Sequence, residues 1–139
     1  MVISKIDPLI NDGEINYLAD LFLACFRFER STFGYRCFKN AVVLFSRGLP
    51  LGEMYERLAE CAGTDRVTFM RELKCAVDSL DEPMADTFNR TYAQADELCI
   101  TMRPDNTVNY VIPFLGTAFL YLIIRNYNKY EYVRLDKPQ

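Results

Sequence analysis

Residues 54–80, MYERLAECAGTDRVTFMRELKCAVDSL, carry the feature that most restricts the fold of this chain. Apolar side chains recur every three or four residues on both sides of Gly63, and this spacing is typical of amphipathic helices. Gly63 can adopt the left-handed backbone that ends a helix, and Thr64 can cap the next one. The stretch therefore predicts two short helices joined by a tight corner, which is the outline of a helix-turn-helix.

The second predicted helix has an inner and an outer side. We expect its apolar side to pack on the core, together with Leu58 of the preceding helix. The predicted inner residues are Val67, Met70, Leu73, Val77 and Leu80. The predicted outer residues are Asp65, Thr68, Glu72, Cys75 and Ser79.

The same periodicity predicts helices through most of the remaining chain. They are a helix over 13–29 behind Asp12 as N-cap, a second helix capped by Ser31 or Thr32 that ends near Ser46, a third that Pro50 opens, a short helix from about 83 to 90 and a last helix over 107–127. In the last helix, Pro113 marks either a kink or the true start. Residues 93–102 give mixed signals, and residues 128–139 are either a strand or disordered.

Length limits the number of domains. The chain has 139 residues, half of them apolar, which is enough for one core and too few for two. We therefore predict a single all-α domain, 1–139, a compact bundle of about five to six helices around the helix-turn-helix. Within it, residues 12–102 form the helix-turn-helix body, and residues 103–139 form a C-terminal helix and tail that could serve in dimerisation.

Residue types exclude most enzyme and metal chemistry. The chain has no histidine, the commonest general base and a frequent zinc ligand. Its five cysteines contain no C-x-x-C pair, and we expect them to be small buried hydrophobes. Five acids, namely Asp81, Glu82, Asp86, Asp96 and Glu97, have no spacing that resembles a calcium loop. We predict no enzyme activity, no metal and no cofactor.

The compartment follows from the cysteines and the apolar runs. An odd number of widely spaced cysteines fits a reducing cytoplasm. The N-terminal residues have no apolar core of a signal peptide. The most apolar run, 110–124, is shorter than a membrane span and is interrupted by Pro113 and Gly116. We expect a cytoplasmic protein without a membrane partner.

Several short motifs resemble one known family. GYRCFKNAV, from Gly34, is similar to a Gly-Tyr opening followed by an amphipathic helix, and MYERLAECAGT is similar to a scaffold helix and turn in which Tyr55, Ala59 and Thr64 match. TDRVTFMRELKCAV aligns with a recognition helix, and RPDNTVNYVI with a Lys-Pro-x-Asn-Ser segment. The chain thus resembles, over about residues 15–112, the C-terminal DNA-binding effector domain of the master sporulation response regulator of endospore-forming bacteria.

The resemblance implies an all-helical DNA-binding domain and a set of contact residues. On the recognition-like helix these are Arg66, Thr68, Arg71 and Lys74, with arginine suited to the O6/N7 edge of guanine. Independently of the resemblance, the local excess of positive charge makes Arg36 and Lys39 on the preceding basic helix candidates for holding backbone phosphates. The family has an Arg-Val-Glu-Arg cluster where this chain has residues 68–71, TFMR, with one arginine instead of two.

Charge does not uniformly favour DNA. The chain has a net charge of -3 and a pI near 5.0. Residues 48–80 contain four basic and six acidic side chains, a net charge of -2, whereas residues 27–47 have a net charge of +4. Backbone contacts to DNA could come from the basic segment if its helix packs beside the recognition-like helix.

Two functions remain after these exclusions. The first is a stand-alone helix-turn-helix transcription regulator that binds duplex DNA, as a homodimer because a single short helix reads few base pairs. The second is a protein-binding module or inhibitor that kept the scaffold and lost DNA readout, with Phe69 and Met70 in the interface. The tail contains three tyrosines, Tyr127, Tyr130 and Tyr132. Their rings could stack on nucleic-acid bases, or they could pack against the core or a second subunit.

Overall fold

A computed structural model of the protein describes residues 12–93 and 100–126, and within these ranges it contains six α-helices and no β-strand. The helices are α1 (Asp12–Leu23), α2 (Phe33–Ser46), α3 (Leu51–Cys61), α4 (Arg66–Asp78), α5 (Met84–Phe88) and α6 (Val108–Asn126). A 3-10 turn (Ala24–Phe26) follows α1, and a π-helical turn (Asn89–Ala93) follows α5. The predicted compact all-α fold is confirmed.

Helix α2 lies at the centre of the bundle. It packs more extensively on α6 than on any other helix and also contacts α1, α3 and α4. Its inward side chains Phe38, Ala41 and Val42 are completely buried. Thr32 caps the helix as predicted, because its hydroxyl oxygen accepts a hydrogen bond from the Tyr35 backbone N–H at 3.1 Å. The predicted end at Ser46 is also confirmed.

Helix α6 supplies much of the core against α2. Its completely buried side chains are Val111, Ile112, Leu115, Ala118 and Phe119. Pro113 lies inside the second turn without ending the helix, so it does not mark the start of α6. In the part of the chain that the structure describes, no helix combines the length and apolarity that crossing a membrane requires.

A four-residue corner joins α3 to α4. Gly63 has a left-handed backbone (φ 72°), its N–H donates to the Glu60 carbonyl, and the Thr64 N–H donates to the Ala59 carbonyl, both at 3.0 Å. This pair of bonds is a Schellman motif. The cap of α4 is therefore Asp65 rather than the predicted Thr64, since the Thr64 backbone closes α3. The Asp65 carboxylate accepts from the Thr68 N–H at 2.7 Å.

The inner side of α4 differs from the prediction. Leu73 and Val77 are buried as expected, but Val67 is 69% exposed and Phe69 is only 1% exposed. The helix is rotated so that Phe69 enters the core, because burying a phenyl ring removes more apolar surface from water than burying a valine does. The remaining predicted inner residues, Leu58, Met70 and Leu80, are half-buried.

The cysteines do not all behave as buried hydrophobes. Cys37 is buried and Cys25 is half-buried, but Cys61 and Cys75 are exposed. Cys61 lies at the end of α3 and Cys75 on the outer side of α4, and neither is among the buried residues of its helix. Burial raises the pKa of the Cys37 thiol to about 11. Cys99 lies outside the described residues.

Two helical glycines provide a matched test of the packing around α2. A Cβ at Gly116 would lie 3.0 Å from Phe45 Cβ and 3.2 Å from the Val42 carbonyl oxygen, whereas a Cβ at Gly52 would meet nothing within 4 Å. Gly116→Ala should therefore lower the free energy of unfolding by about 1–2 kcal/mol. Gly52→Ala should raise it by about 0.5–1 kcal/mol through helix propensity alone. Urea denaturation measures both, and equal shifts of the same sign would contradict the close approach of α6 to α2.

The Asp65 cap makes the stability of α4 depend on pH. Hydrogen bonds from Thr68 to the ionised carboxylate lower the pKa of Asp65. The stabilisation is therefore complete above the usual aspartate pKa and is lost as the pH falls through the lowered value. Asp65→Asn keeps a capping oxygen but does not titrate. The urea midpoint of the wild type should exceed that of Asp65→Asn at pH 7, and the two should converge as the pH falls through the lowered pKa of Asp65. Midpoints that stay parallel over this range would refute the role of the charge.

Candidate nucleic-acid interface

The outer face of α4 consists of Val67, Arg71, Lys74, Cys75 and Asp78, which are all exposed. Val67, Arg71 and Cys75 follow one another at intervals of four residues and so form one line along the helix. The opposite side is held in the core by Phe69, Leu73, Ala76 and Val77. The helix thus presents an uncovered face about three turns long beside the corner that joins it to α3.

Arg71 is the basic side chain of this face that is available to a ligand. It is exposed and forms no ion pair with another described residue. Lys74 is different, since its ammonium contacts the Asp78 carboxylate at 2.9 Å. Both partners of that pair are more than half exposed, so the pair is screened by water and exchanges easily.

Arg66 and Thr68 lie at the start of α4 and are tied to their surroundings. The Arg66 guanidinium is 3.6 Å from the Glu56 carboxylate and lies over the Tyr55 ring at 5.8 Å from its centroid. Thr68 is half-buried, and its backbone N–H serves the Asp65 cap. Of the four residues predicted on this helix, the structure therefore places Arg71 and Lys74 together on the outer face, with Arg66 and Thr68 at its N-terminal edge.

The basic helix α2 packs beside α4, but only one of its two predicted contact residues is available to a ligand. α2 approaches α4 closely, because a Cβ at Gly34 would lie 3.2 Å from the Glu72 carbonyl oxygen. Arg36 is exposed and lines a hollow of about 280 Å³ beside Cys61 and Ala62 of the corner.

Lys39 is engaged within the fold. Its ammonium is 3.3 Å from the Asp20 carboxylate, which also accepts a hydrogen bond from the Tyr35 hydroxyl at 2.5 Å. Only 16% of the Lys39 side chain is exposed. Burial and the neighbouring carboxylate raise the pKa of Tyr35, so the hydroxyl stays a donor to Asp20. Lys39 stabilises the contact between α1 and α2 and is poorly placed to hold a phosphate.

The other charges of the basic segment are dispersed. Arg30 donates to the Asp20 backbone carbonyl at 3.0 Å, and Arg47 is only 4% exposed. Arg27 lies beside Ser79 in a cleft at the C-terminal end of α4, away from the corner. The net charge of +4 in residues 27–47 therefore does not form a continuous basic strip next to α4. Arg36 alone remains beside the corner.

Two apolar residues of this region, Val67 and Phe69, differ in burial from the sequence prediction. Phe69 was expected at a protein interface in the second function, but it is buried in the core. Val67 was expected in the core, but it is the most exposed large apolar side chain of the described residues. The signal that could have placed both is size, because either residue can face the core by helical spacing and Phe buries the larger area.

The acidic residues after α4 form a local network. The Glu82 carboxylate accepts hydrogen bonds from the Thr87 hydroxyl and the Arg90 guanidinium, both at 2.5 Å, and these bonds lower the pKa of Glu82. Within residues 12–93 and 100–126, no three metal-ligating side chains come together. Asp96 and Glu97 lie outside these ranges, as do Tyr127, Tyr130 and Tyr132.

Comparison of the chain with known protein families, with characterised proteins and with solved structures finds no match.

Proposed function

We propose that the protein is a helix-turn-helix regulator that binds duplex DNA in the cytoplasm through the outer face of α4. The observation that carries the proposal is Arg71, an exposed guanidinium without an ion-pairing partner among the described residues, on an uncovered helix that follows a Gly63 corner. A helix in this arrangement enters the major groove, where arginine recognises guanine.

Val67 is a second proposed base contact. It lies one turn before Arg71 on the same line of the outer face. An apolar side chain at that place suits the methyl group of thymine, which is exposed in the major groove. The proposed base contacts are therefore Val67 and Arg71, and Arg36 would contact the backbone from the side of the corner. The resemblance to the sporulation effector domain favours the same helix.

The expected assembly on DNA is a homodimer. The outer face of α4 is about three turns long, so one subunit can contact only a few base pairs. Twofold symmetry doubles the base contacts and the phosphate contacts, which an acidic chain with a net charge of -3 needs. Light scattering of the protein with and without duplex tests this expectation.

A second candidate function is docking of a protein partner on the same face. It is favoured by the ion pairs of α3 and α4, in which basic side chains are neutralised by acidic ones. These pairs are Arg57 with Glu53, Arg66 with Glu56, and Lys74 with Asp78. These pairs leave little excess positive charge, and Val67 at 69% exposure suits an apolar contact. In that case the protein would act as an inhibitor or adaptor rather than as a DNA reader.

Salt dependence separates the two candidates. Fluorescence anisotropy with mixed genomic duplexes, at about 50 mM and about 200 mM KCl, should show binding that weakens steeply with salt. Arg71→Ala should weaken that binding by about tenfold or more, because it removes the base contact. A matched control is Arg27→Asn, which removes the same charge beside Ser79, at the C-terminal end of α4.

The control should keep its fold and its affinity. Arg27 has a left-handed backbone (φ 60°), which asparagine tolerates. Arg27 lines a cleft at the C-terminal end of α4 that neither Val67 nor Arg71 lines, so the change in DNA affinity should stay below about twofold at moderate salt. Absence of salt-sensitive binding at micromolar wild-type protein would reject DNA binding and favour the protein partner. Binding that survives in Arg71→Ala would reject the chosen residue.

Cys75 offers a direct test of which face is covered. Its thiol is exposed at the end of the line formed by Val67 and Arg71. Duplex DNA should slow alkylation of Cys75 by iodoacetamide in proportion to the bound fraction, as read by peptide mass spectrometry. Arg71→Ala should lose this protection under the same conditions. Equal alkylation rates with and without saturating duplex would show that DNA binds elsewhere.

A further inference from the structure

A groove separates the middle of α4 from the start of α6. Met70, Lys74 and Asp78 of α4 form one wall, and residues 106–109 form the other. The groove has a volume of about 510 Å³ and is open to solvent next to the outer face of α4, with which it shares Lys74 and Asp78. A ligand that contacts Lys74 and Asp78 therefore also reaches the mouth of the groove.

The wall opposite α4 is held in place by side chains. The Asn89 side chain forms two hydrogen bonds with the backbone of Met102, at 2.8 and 3.0 Å. These bonds anchor the loop that precedes α6. Asp105 accepts a hydrogen bond from the Thr107 N–H at 2.9 Å, which fixes the turn before α6. The loop before α6 is therefore held beside α4 in the free protein, and binding of a ligand there costs little conformational entropy.

The amide of Asn109 is oriented by a buried phenol. The Tyr55 hydroxyl donates to Asn109 Oδ1 at 3.0 Å. Burial raises the pKa of Tyr55 to about 12, so this hydroxyl remains a donor at neutral pH. With its oxygen turned to Tyr55, the exposed Asn109 side chain keeps the two N–H donors of its amide nitrogen for another acceptor.

Lys74 supplies a positive charge across the groove. Its ammonium is held by one exposed carboxylate, Asp78, in a pair that contributes little stability. An anion with several acceptor oxygens could take the hydrogen bonds of Lys74 and of the Asn109 amide together. Lysine and asparagine are both common donors to the phosphates of DNA.

We propose that this groove holds a backbone phosphate of the duplex that α4 reads, with Asn109 and Lys74 as its donors. The inference rests on the proposed DNA binding and adds a contact element, residues 106–109, to the helix-turn-helix. It also supplies a phosphate contact that α2 lacks, because Lys39 is paired with Asp20 within the fold. A phosphate contact on the α6 side of α4 would help to fix the orientation of α4 in the major groove of the DNA.

Asn109→Asp tests the phosphate contact without disturbing the fold. The new carboxylate can still accept from Tyr55, and a negative charge in the first turn of α6 is favourable to the helix. It would repel a phosphate and engage Lys74. The matched control is Asn16→Asp on the exposed side of α1, which changes the net charge equally and lies outside the groove.

Duplex affinity is measured for the wild type and both variants over a range of KCl concentrations. Asn109→Asp should weaken binding by about tenfold and reduce the slope of log affinity against log salt by about 0.9, the loss of one phosphate contact. Asn16→Asp should change affinity by less than about twofold. Asp78→Asn should strengthen binding, because it releases Lys74 and removes a carboxylate from the groove.

The outcomes separate this inference from the proposed function. If the wild type binds DNA in a salt-sensitive manner and Asn109→Asp behaves like Asn16→Asp, the phosphate site is overturned while DNA binding stands. If the wild type does not bind, the proposed function is overturned and the phosphate site with it. Urea denaturation of each variant checks that the fold is intact, and weakened binding by a folded Asn109→Asp protein supports the site.

Discussion

The close approach of two helices, α4 and α6, to α2 determines the rest of this structure. Gly34 lets the start of α2 approach the α4 backbone, where a Cβ would be 3.2 Å from the Glu72 carbonyl oxygen. Gly116 lets α6 approach α2 to a similar distance near Val42. Each glycine lacks the side chain that would hold the helices apart, so large neighbours interlock around them. The orientation of α4, and hence its outer face, follows from these contacts.

Electrostatics decides how much of that outer face is available to a ligand. Most of the basic residues near α4 are engaged by acids of the same chain, whereas Arg71 and Arg36 form no ion pair with another described residue. The pairs differ in strength, because Lys39 is largely buried with Asp20 while Lys74 and Asp78 are exposed. Exposed pairs exchange readily for a stronger anion such as a phosphate. Lys74 can therefore join a DNA interface, and Lys39 stays within the fold.

Local signals predicted the helices well because capping and turn chemistry act over a few residues. Thr32, Pro50 and Gly63 each lie where the pattern placed them, at a cap, a helix start and a corner. The one-residue error at the cap of α4 arose because Thr64 and Asp65 are both good caps. The choice between them is made by the Schellman bonds of α3, which use the Thr64 backbone.

By itself the sequence determined the all-α class, the position of the corner and the candidate recognition helix, since these depend on periodicity and on residues that start and stop helices. Only the tertiary structure decided which side of that helix faces outward. Val67 and Phe69 compete for the core at similar helical spacing, and packing against α2 selects the larger ring. Tertiary contacts also decided which charges are available, because ion pairs such as Lys39 with Asp20 join residues far apart in the chain.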